Sequence, residues 1–380
     1  MHAAQDSSLM DPPREAGPDD PVDGGPDNAS FAAARRRSEA IERELREDPS
    51  RFRVLTGDRP TGRLHVGHLF GSLENRVRLQ DAGVETFVII ADYQVITDRD
   101  AVGPVGERVL SLVTDYLAVG LDPSRCTIFA HSAVPALNQL MLPFLALVTD
   151  AELRRNPTVK AELAATNGRP MSGLMLTYPV HQAADILFCK ANLVPVGKDQ
   201  LPHVEQSRSI ARRFDEIYGR ADQRHAVFPR PDALLSEAVN ILGVDGQKMS
   251  KSRGNAIELA MSADVTAKLI RRAVTDSERQ ITWEPQRRPE VANLLLLAAL
   301  SSGRTPEELA DELAGAGGAG LKAVVTEAVN ERLAPIRSRR AELAADEGYL
   351  RSVLAEGNRR ANEVGDATLA EVRAAMGMVY

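Results

Sequence analysis

Two cysteines, one tryptophan and an aromatic content of 4% in 380 residues leave this chain without a disulfide framework and with few large rings for its core. Cys126 and Cys189 stand in separate apolar segments, a usage that fits a reducing compartment and two core thiols. No apolar run approaches the ~20 residues that a bilayer crossing requires. The N-terminus carries Asp6, Asp11, Glu15, Asp19 and Asp20 and has no apolar signal core, so the expected location is the cytoplasm, with no membrane partner. Basic charge is not in excess either: the formal net charge is −7. Any nucleic-acid contact must therefore come from local patches. The candidates are Arg35 to Arg37, Arg271 with Arg272, Arg337 with Arg339 and Arg340, and Arg359 with Arg360, each of which also fits a solvated helix face.

What is present is enough apolar material, 43% of residues, to bury a sizeable core in two structural units. Residues 1 to about 32 hold Pro12, Pro13, Pro18, Pro21 and Pro26 among Gly and Asp, which predicts a disordered tail. Ile41 and Leu45, four apart in an Arg/Glu-rich stretch, predict a surface helix over 35–47, so residues 1–50 read as an extension. From residue 53 short β-branched runs alternate with helical periodicity, the pattern of parallel strands joined by crossover helices. Strands are expected at 53–56, 86–91, 127–130 and 193–196, and helices at 68–81, 105–119, 135–149, 180–189 and 199–217. Beyond about 260 strand signals vanish and apolar residues recur at three- and four-residue spacing through 264–274, 290–301, 306–314 and 321–341. Thr305, Pro306 and Glu308 form a helix-start signal, and Gly315 to Gly320 reads as a turn. The expectation is an α/β protein: a Rossmann-like parallel-sheet catalytic domain over 51–259, then an α-helical domain over 260–380.

Two segments carry chemistry. The first, Thr56-Gly57-Asp58-Arg59-Pro60-Thr61-Gly62-Arg63-Leu64-His65-Val66-Gly67-His68, falls where a buried strand hands over to a helix. Unpaired backbone N–H groups and the helix dipole make such a corner an anion site. Gly57 and Gly62 suit a tight turn, Gly67 lets a flat purine approach the backbone, and His65 and His68 can donate toward an α-phosphorus under attack. The second segment is Lys248-Met249-Ser250-Lys251-Ser252, whose cationic and hydroxyl side chains could close on β- and γ-phosphates as pyrophosphate leaves. Alone, the first also fits a glycine turn and the second a solvated loop; together they are far more specific.

His65-Val66-Gly67-His68 resembles the HIGH signature, and Lys248 to Ser252 the KMSKS signature, of class I aminoacyl-tRNA synthetases, in the expected order. Within that class, Tyr178-Pro179-Val180-His181-Gln182-Ala183-Ala184-Asp185-Ile186-Leu187 and Val194-Pro195-Val196-Gly197-Lys198-Asp199-Gln200 resemble the amino-acid pocket of tryptophanyl-tRNA synthetases. Ala273 to Glu278 and Asn293-Leu294-Leu295 are similar to helical-domain segments of the same family. The resemblance implies activation of L-tryptophan by ATP with Mg²⁺, then transfer to tRNA(Trp), in a homodimer. It assigns His65, His68, Lys248 and Lys251 to catalysis. It assigns Gly57, Arg59, Pro60, Thr61, Gly67, His68, Gly197, Lys198, Asp199, Met249, Ser250 and Ser252, with the two lysines, to ATP, and singles out no metal ligand. Tyr178, Gln182, Asp185, Gln200 and Gln94 would hold tryptophan.

The residues agree, because Tyr178, Gln182 and Asp185 are spaced i, i+4, i+7 and share one helix face. An aspartate in an apolar site can accept an indole N–H and reject phenylalanine, which would leave the carboxylate unpaired. Gln182 and Gln94 stand where the usual bacterial family members have Met and His, and Leu55 where the family often has an aromatic ring. The two glutamines resemble an auxiliary branch associated with tolerance of tryptophan-mimicking antibiotics. Two rivals remain at this point: tyrosyl-tRNA synthetase, whose pocket also uses a Tyr and an Asp, and a non-aminoacylating paralogue that senses tryptophan.

Overall fold

The chain is described here as a computed structural model covering residues 26–97, 103–165, 170–219, 226–235, 241–250 and 253–380. Among these residues five parallel strands form one sheet in the order β3-β2-β1-β4-β5: β1 Arg53–Asp58, β2 Glu85–Ile90, β3 Cys126–Ala130, β4 Leu193–Val196 and β5 Asp232–Leu235. The first four match expected strands to within two residues at either end. The short β5 was not foreseen, because Pro229 and Pro231 precede only four strand residues at a sheet edge.

Alternation along the strands decides what covers each face of the sheet. Val88, Ile90 and Ile128 point into one apolar cluster and Phe87, Ile89 and Phe129 into another. The first cluster is filled by α4 (Val105–Val119) and by two helices from the C-terminal third, α11 (Pro289–Ser302) and α13 (Gly317–Ala344). The second is filled by α5 (Pro135–Leu145), α8 (Gly173–Leu187) and α9 (Leu201–Tyr218). Beyond residue 260 the described elements are helices: α10 (Ala263–Arg271), α11, α12 (Pro306–Glu312), α13 and α14 (Glu347–Ala375). At α12 the Thr305 hydroxyl and the Glu308 carboxylate cap one another's backbone N–H groups. The turn expected at Gly315 to Gly320 is shorter, since α13 begins at Gly317.

The last helix was not foreseen, for a physical reason. Its buried face includes Gly357, Ala361, Gly365 and Thr368, small residues that allow close approach and give weak apolar periodicity. A Cβ at Gly357 would fall 1.7 Å from the Ile128 carbonyl oxygen, so α14 lies directly on β3. Asn358 Oδ1 accepts the Ala130 N–H at 2.9 Å and Asn362 donates to the Ala133 carbonyl at 2.8 Å, which satisfies backbone at the end of β3 and in the turn after it.

The N-terminal helix also starts sooner than expected. The tail predicted to reach about residue 32 gives way to α1 (Pro26–Glu47) at Pro26; residues before that lie outside the described ones. Ile41 and Leu45 bury against Phe52, Val54, Leu79, Leu193 and Leu234, and Arg37 pairs with Asp232 at 2.8 Å, so α1 closes the β5 edge. Small helices unforeseen in the sequence, α6 (Asp150–Arg155) and α7 (Pro157–Ala165), cover the approach to α8. Among the described residues, no helix is long and apolar enough to cross a membrane.

Candidate functional site

The strand order sets the location. From β1 the chain winds outward through β2 and β3, and from β4 in the opposite direction to β5, so a crevice opens beyond the carboxyl ends of β1 and β4. A cleft of about 1440 Å³ occupies it. Its walls come from the glycine-histidine corner, from one face of α8, from the end of β4 and from the lysine loop.

At the corner, β1 and β2 come close: a Cβ on Gly57 would sit 1.9 Å from the Ile89 carbonyl oxygen. The next residue, Asp58, is held by Arg76 of α3 (Glu74–Asp81) at 2.6 Å and by the Tyr116 hydroxyl of α4 at 2.7 Å. Burial pushes the Asp58 carboxyl up, but the Arg76 guanidinium prevails and holds it at about 2. The short helix α2 (Val66–His68) follows, with the His65 backbone N–H donating to His68 Nδ1 at 3.2 Å. That bond makes Nδ1 the acceptor, so Nε2 carries the proton. Burial lowers both imidazoles, His65 to about 3, and the pair is neutral near pH 7, able to donate an N–H without bringing charge. A π-turn over Leu69–Leu73 breaks the helix expected at 68–81 and brings Gly71 and Ser72 to the cleft wall.

The lysine loop reaches the same place. Val66 N–H donates to the Ile257 carbonyl at 2.9 Å and Leu259 N–H to the Leu64 carbonyl at 3.0 Å, which pairs the corner with the stretch following the loop. A Cβ on Gly67 would meet the His65 ring at 3.0 Å and Met249 Sδ at 3.6 Å, and Met249 and Ser250 line the cleft. Asn255, 2% exposed, organises the turn: it accepts the Ser250 N–H at 2.8 Å and donates to Asp245 at 2.7 Å. Behind it, Asn293 of α11 pairs both backbone groups of Leu242, at 2.7 and 3.1 Å, and Leu242 bridges to Lys248. The Asn293 segment thus anchors the base of the loop.

On α8, Tyr178, Gln182 and Asp185 line the cleft together, joined by Gln94 from the turn at Tyr93–Thr97 and by Gln200, whose amide donates to Asp199 at 2.9 Å. Asp185 is 5% exposed, and burial raises its carboxyl well above the usual range. Leu55 lines the same cleft.

Several expected residues fall elsewhere. Gly57, Arg59, Thr61, Gly197, His65 and His68 line the cleft; Pro60, Gly67, Lys198, Asp199 and Lys248 do not reach its lining in this conformation. The Lys198 ammonium instead sits 4.8 Å from the centre of the Phe31 ring on α1. Lys251 and Ser252 lie outside the described residues. Most of the basic patches are occupied within the chain: Arg37 by Asp232, Arg340 by Asp115 of α4, Arg359 and Arg360 by Glu356. Sequence reasoning missed Arg76, Tyr116, Thr158, His203 and the buried pair His131 and His181. Thr158 and His203 also line the cleft, 2.8 Å apart. His181 lay inside the quoted pocket segment and is one position before Gln182, but nothing in the sequence pairs it with His131.

Comparison with known proteins bears on the same residues. The family model for class I tRNA synthetases (W and Y) matches residues 47–334. A tryptophan-tRNA ligase of Clostridium longisporum is 42% identical over 337 residues, 86% of this chain and 97% of its own length. One from Treponema pallidum is 42% identical over 336 residues, again 86% of this chain and 97% of its own. Among solved structures, the tryptophanyl-tRNA synthetase of Campylobacter jejuni, complexed with ADP and tryptophan, superposes with a TM-score of 0.73 at 29% identity. It matches 86% of this chain and 99% of that one.

Proposed function

The chain belongs to the class I tRNA synthetases of the tryptophan and tyrosine group, and from that premise we propose that it activates L-tryptophan with ATP and transfers it to tRNA(Trp). The observation that supports this reading is a shared cleft: the glycine-histidine corner, the Met249–Ser250 stretch and the Tyr178–Gln182–Asp185 face open into one volume. Tryptophan rather than tyrosine follows from relatives at about 42% identity that are tryptophan ligases along nearly their whole length.

In this reading the tryptophan carboxylate attacks the α-phosphorus of ATP, the bond to the β-phosphate oxygen breaks and pyrophosphate departs, leaving the adenylate. A ribose hydroxyl of the terminal tRNA adenosine then attacks the acyl carbon and releases AMP. No protein nucleophile is needed. His65 and His68 would donate neutral N–H bonds to the α-phosphate, and Lys248 with Lys251 would follow the charge that develops on the leaving pyrophosphate. Mg²⁺ would enter with ATP, because the carboxylates on the cleft wall are Asp58, Glu162 and Asp185. Asp58 is taken by Arg76 and Asp185 is buried at the amino-acid end, so phosphate oxygens and water suit the ion better. The helical segment 260–380 would recognise the anticodon, and a homodimer would let one tRNA span two subunits.

Amino-acid-dependent ATP–pyrophosphate exchange, run with all twenty amino acids, tests the reading: tryptophan alone should support it. Lys248→Ala should lower kcat about 100- to 1000-fold with the KM for tryptophan little changed. Exchange driven by tyrosine and indifferent to tryptophan would reverse the assignment.

The auxiliary-branch reading belongs here as well. Gln94 and Gln182 line the cleft where His and Met, respectively, would stand in the usual bacterial enzyme. Indolmycin should then inhibit exchange weakly, and the double change Gln94→His with Gln182→Met should sharpen inhibition by about 10- to 100-fold, the scale of one or two hydrogen bonds. Strong inhibition of the unsubstituted protein would refute it.

A further inference from the structure

Behind Asp185 lies a polar cluster that the sequence motifs do not include. His131 begins the turn after β3, His181 sits on α8, and the ligand-type atoms of these two and of Asp185 lie within 4.8 Å of one another, all buried. His131 Nε2 is 3.3 Å from Asp185 Oδ1, yet the angle is not that of a formed hydrogen bond: both His131 ring nitrogens and this oxygen are closed off from solvent without a partner. Orphaned buried polar atoms are costly, so a built arrangement of three of them asks for a use.

The surroundings fix what that use can be. His181 is already engaged at both nitrogens: Nδ1 accepts from the Gln94 amide at 3.3 Å, and Nε2 donates to Asn138 Oδ1 of α5 at 3.1 Å. Its ring lies 4.2 Å from that of His131, and Tyr93 meets His131 edge-on at 5.4 Å. His131 is therefore clamped between two rings with its Nε2 3.3 Å from Asp185 Oδ1, and Gln94, itself on the cleft wall, is tied to His181. Burial lowers His131 to about 3, leaving a neutral ring with one N–H to give and one lone pair.

We propose that His131 is a positioning residue for amino-acid selection: when tryptophan binds, its Nε2–H closes the 3.3 Å gap onto Asp185 Oδ1, so that the second carboxylate oxygen is fixed as the acceptor for the indole N–H, and His181 braces the pair. This rests on the tryptophan reading above. An aspartate alone in this apolar wall would be free to protonate or to rotate. With one oxygen tied, the acceptor is preorganised and discrimination at the ring nitrogen sharpens. His181, saturated by Asn138 and Gln94, has no lone pair left for an ion, which favours the hydrogen-bonded reading over a metal held by the same three side chains.

The experiment compares the unsubstituted protein with His131→Phe, which fills the space without a donor, and His131→Gln, which restores an N–H. Exchange kinetics are measured with L-tryptophan and with benzothienylalanine, whose sulfur replaces the ring N–H. In His131→Phe the KM for tryptophan should rise about 10- to 100-fold and the preference for tryptophan over the analogue should fall by a similar factor. The kcat and the KM for ATP should stay within about twofold, and His131→Gln should recover most of the loss. An unchanged tryptophan KM in His131→Phe, or a uniform loss in all constants that glutamine does not mend, would overturn the proposal. So would a tryptophan KM of the unsubstituted protein that worsens on EDTA dialysis and returns with zinc, since the three side chains would then hold a metal. The unsubstituted protein keeps the two readings apart: if it shows no tryptophan-dependent exchange, the substrate assignment falls and this inference with it. If it does, the His131 variants judge the inference alone.

Discussion

Asp185→Ala should lower kcat/KM for tryptophan in pyrophosphate exchange by about 1000-fold or more, while phenylalanine, which the unsubstituted protein should reject, becomes a comparably poor substrate. The argument is one of unpaired groups. A carboxylate 5% exposed is satisfied only when something donates to it, so in the role proposed for Asp185 an indole would be favoured and a benzene ring penalised by the same atom. Removing the atom removes both effects. The same change should not harm the empty fold. Burial raises the folded-state carboxyl, so ionisation opposes folding: the empty protein loses stability as pH climbs from the ordinary aspartate range toward the raised folded value. Asp185→Asn, which keeps the shape and cannot ionise, should flatten that part of the stability curve and leave Tm equal or higher. A variant that still selects tryptophan, or one that simply melts, would refute the role given to this residue.

The parallel sheet was readable because its central strands are buried on both faces: runs such as Phe87-Val88-Ile89-Ile90 are apolar throughout and bounded by polar turns. Asp232-Ala-Leu-Leu235 gives no such signal, since it is an edge strand after two prolines and gains its order from α1. Helix α14 escaped because its contact with β3 is made by Gly357 and Asn358, close approach and backbone capping rather than bulk. The site divides in the same way. Motif residues fixed by local geometry, the corner glycines and the i, i+4, i+7 face of α8, could be read one segment at a time. His131, Arg76 and Tyr116 acquire meaning from neighbours 54, 18 and 58 positions away in sequence, as their contacts with Asp185 and Asp58 show. A long-range partner of that kind leaves no spacing to recognise. The same limit hid the service that the helical segment does for the α/β one, in which Asn293 holds Leu242 and so the root of the lysine loop.

Arg76→Met should destabilise the protein by about 3–5 kcal/mol at pH 7, the scale of breaking a buried ion pair from one side. Arg76 is 3% exposed and makes three bonds beneath the cleft: two to the Asp58 carboxylate at 2.6 and 3.2 Å and one to the Gly57 carbonyl at 3.3 Å. Methionine fills much of the stem's space, so the loss is that of the guanidinium and of the partner it strands. Asp58→Asn in the same chain should return part of the stability, because the neutral amide no longer needs the cation, and the cycle of four proteins isolates the coupling. The sign with pH is fixed by Asp58, whose carboxyl is depressed to about 2 from 3.8. The unsubstituted protein should hold the whole contribution, about 2 kcal/mol, above pH 4 and shed it as pH falls toward 2. In Arg76→Met that acid-sensitive limb should shrink, and urea titrations at pH 7 and pH 3 read the difference. Activity gives the second readout. The pair fixes the carboxyl end of β1, and Gly57 must stay where its backbone approaches Ile89 for the corner to keep its shape. Arg76→Met therefore loses kcat at temperatures far below its own melting point, whereas a purely structural ion pair would leave the folded fraction fully active.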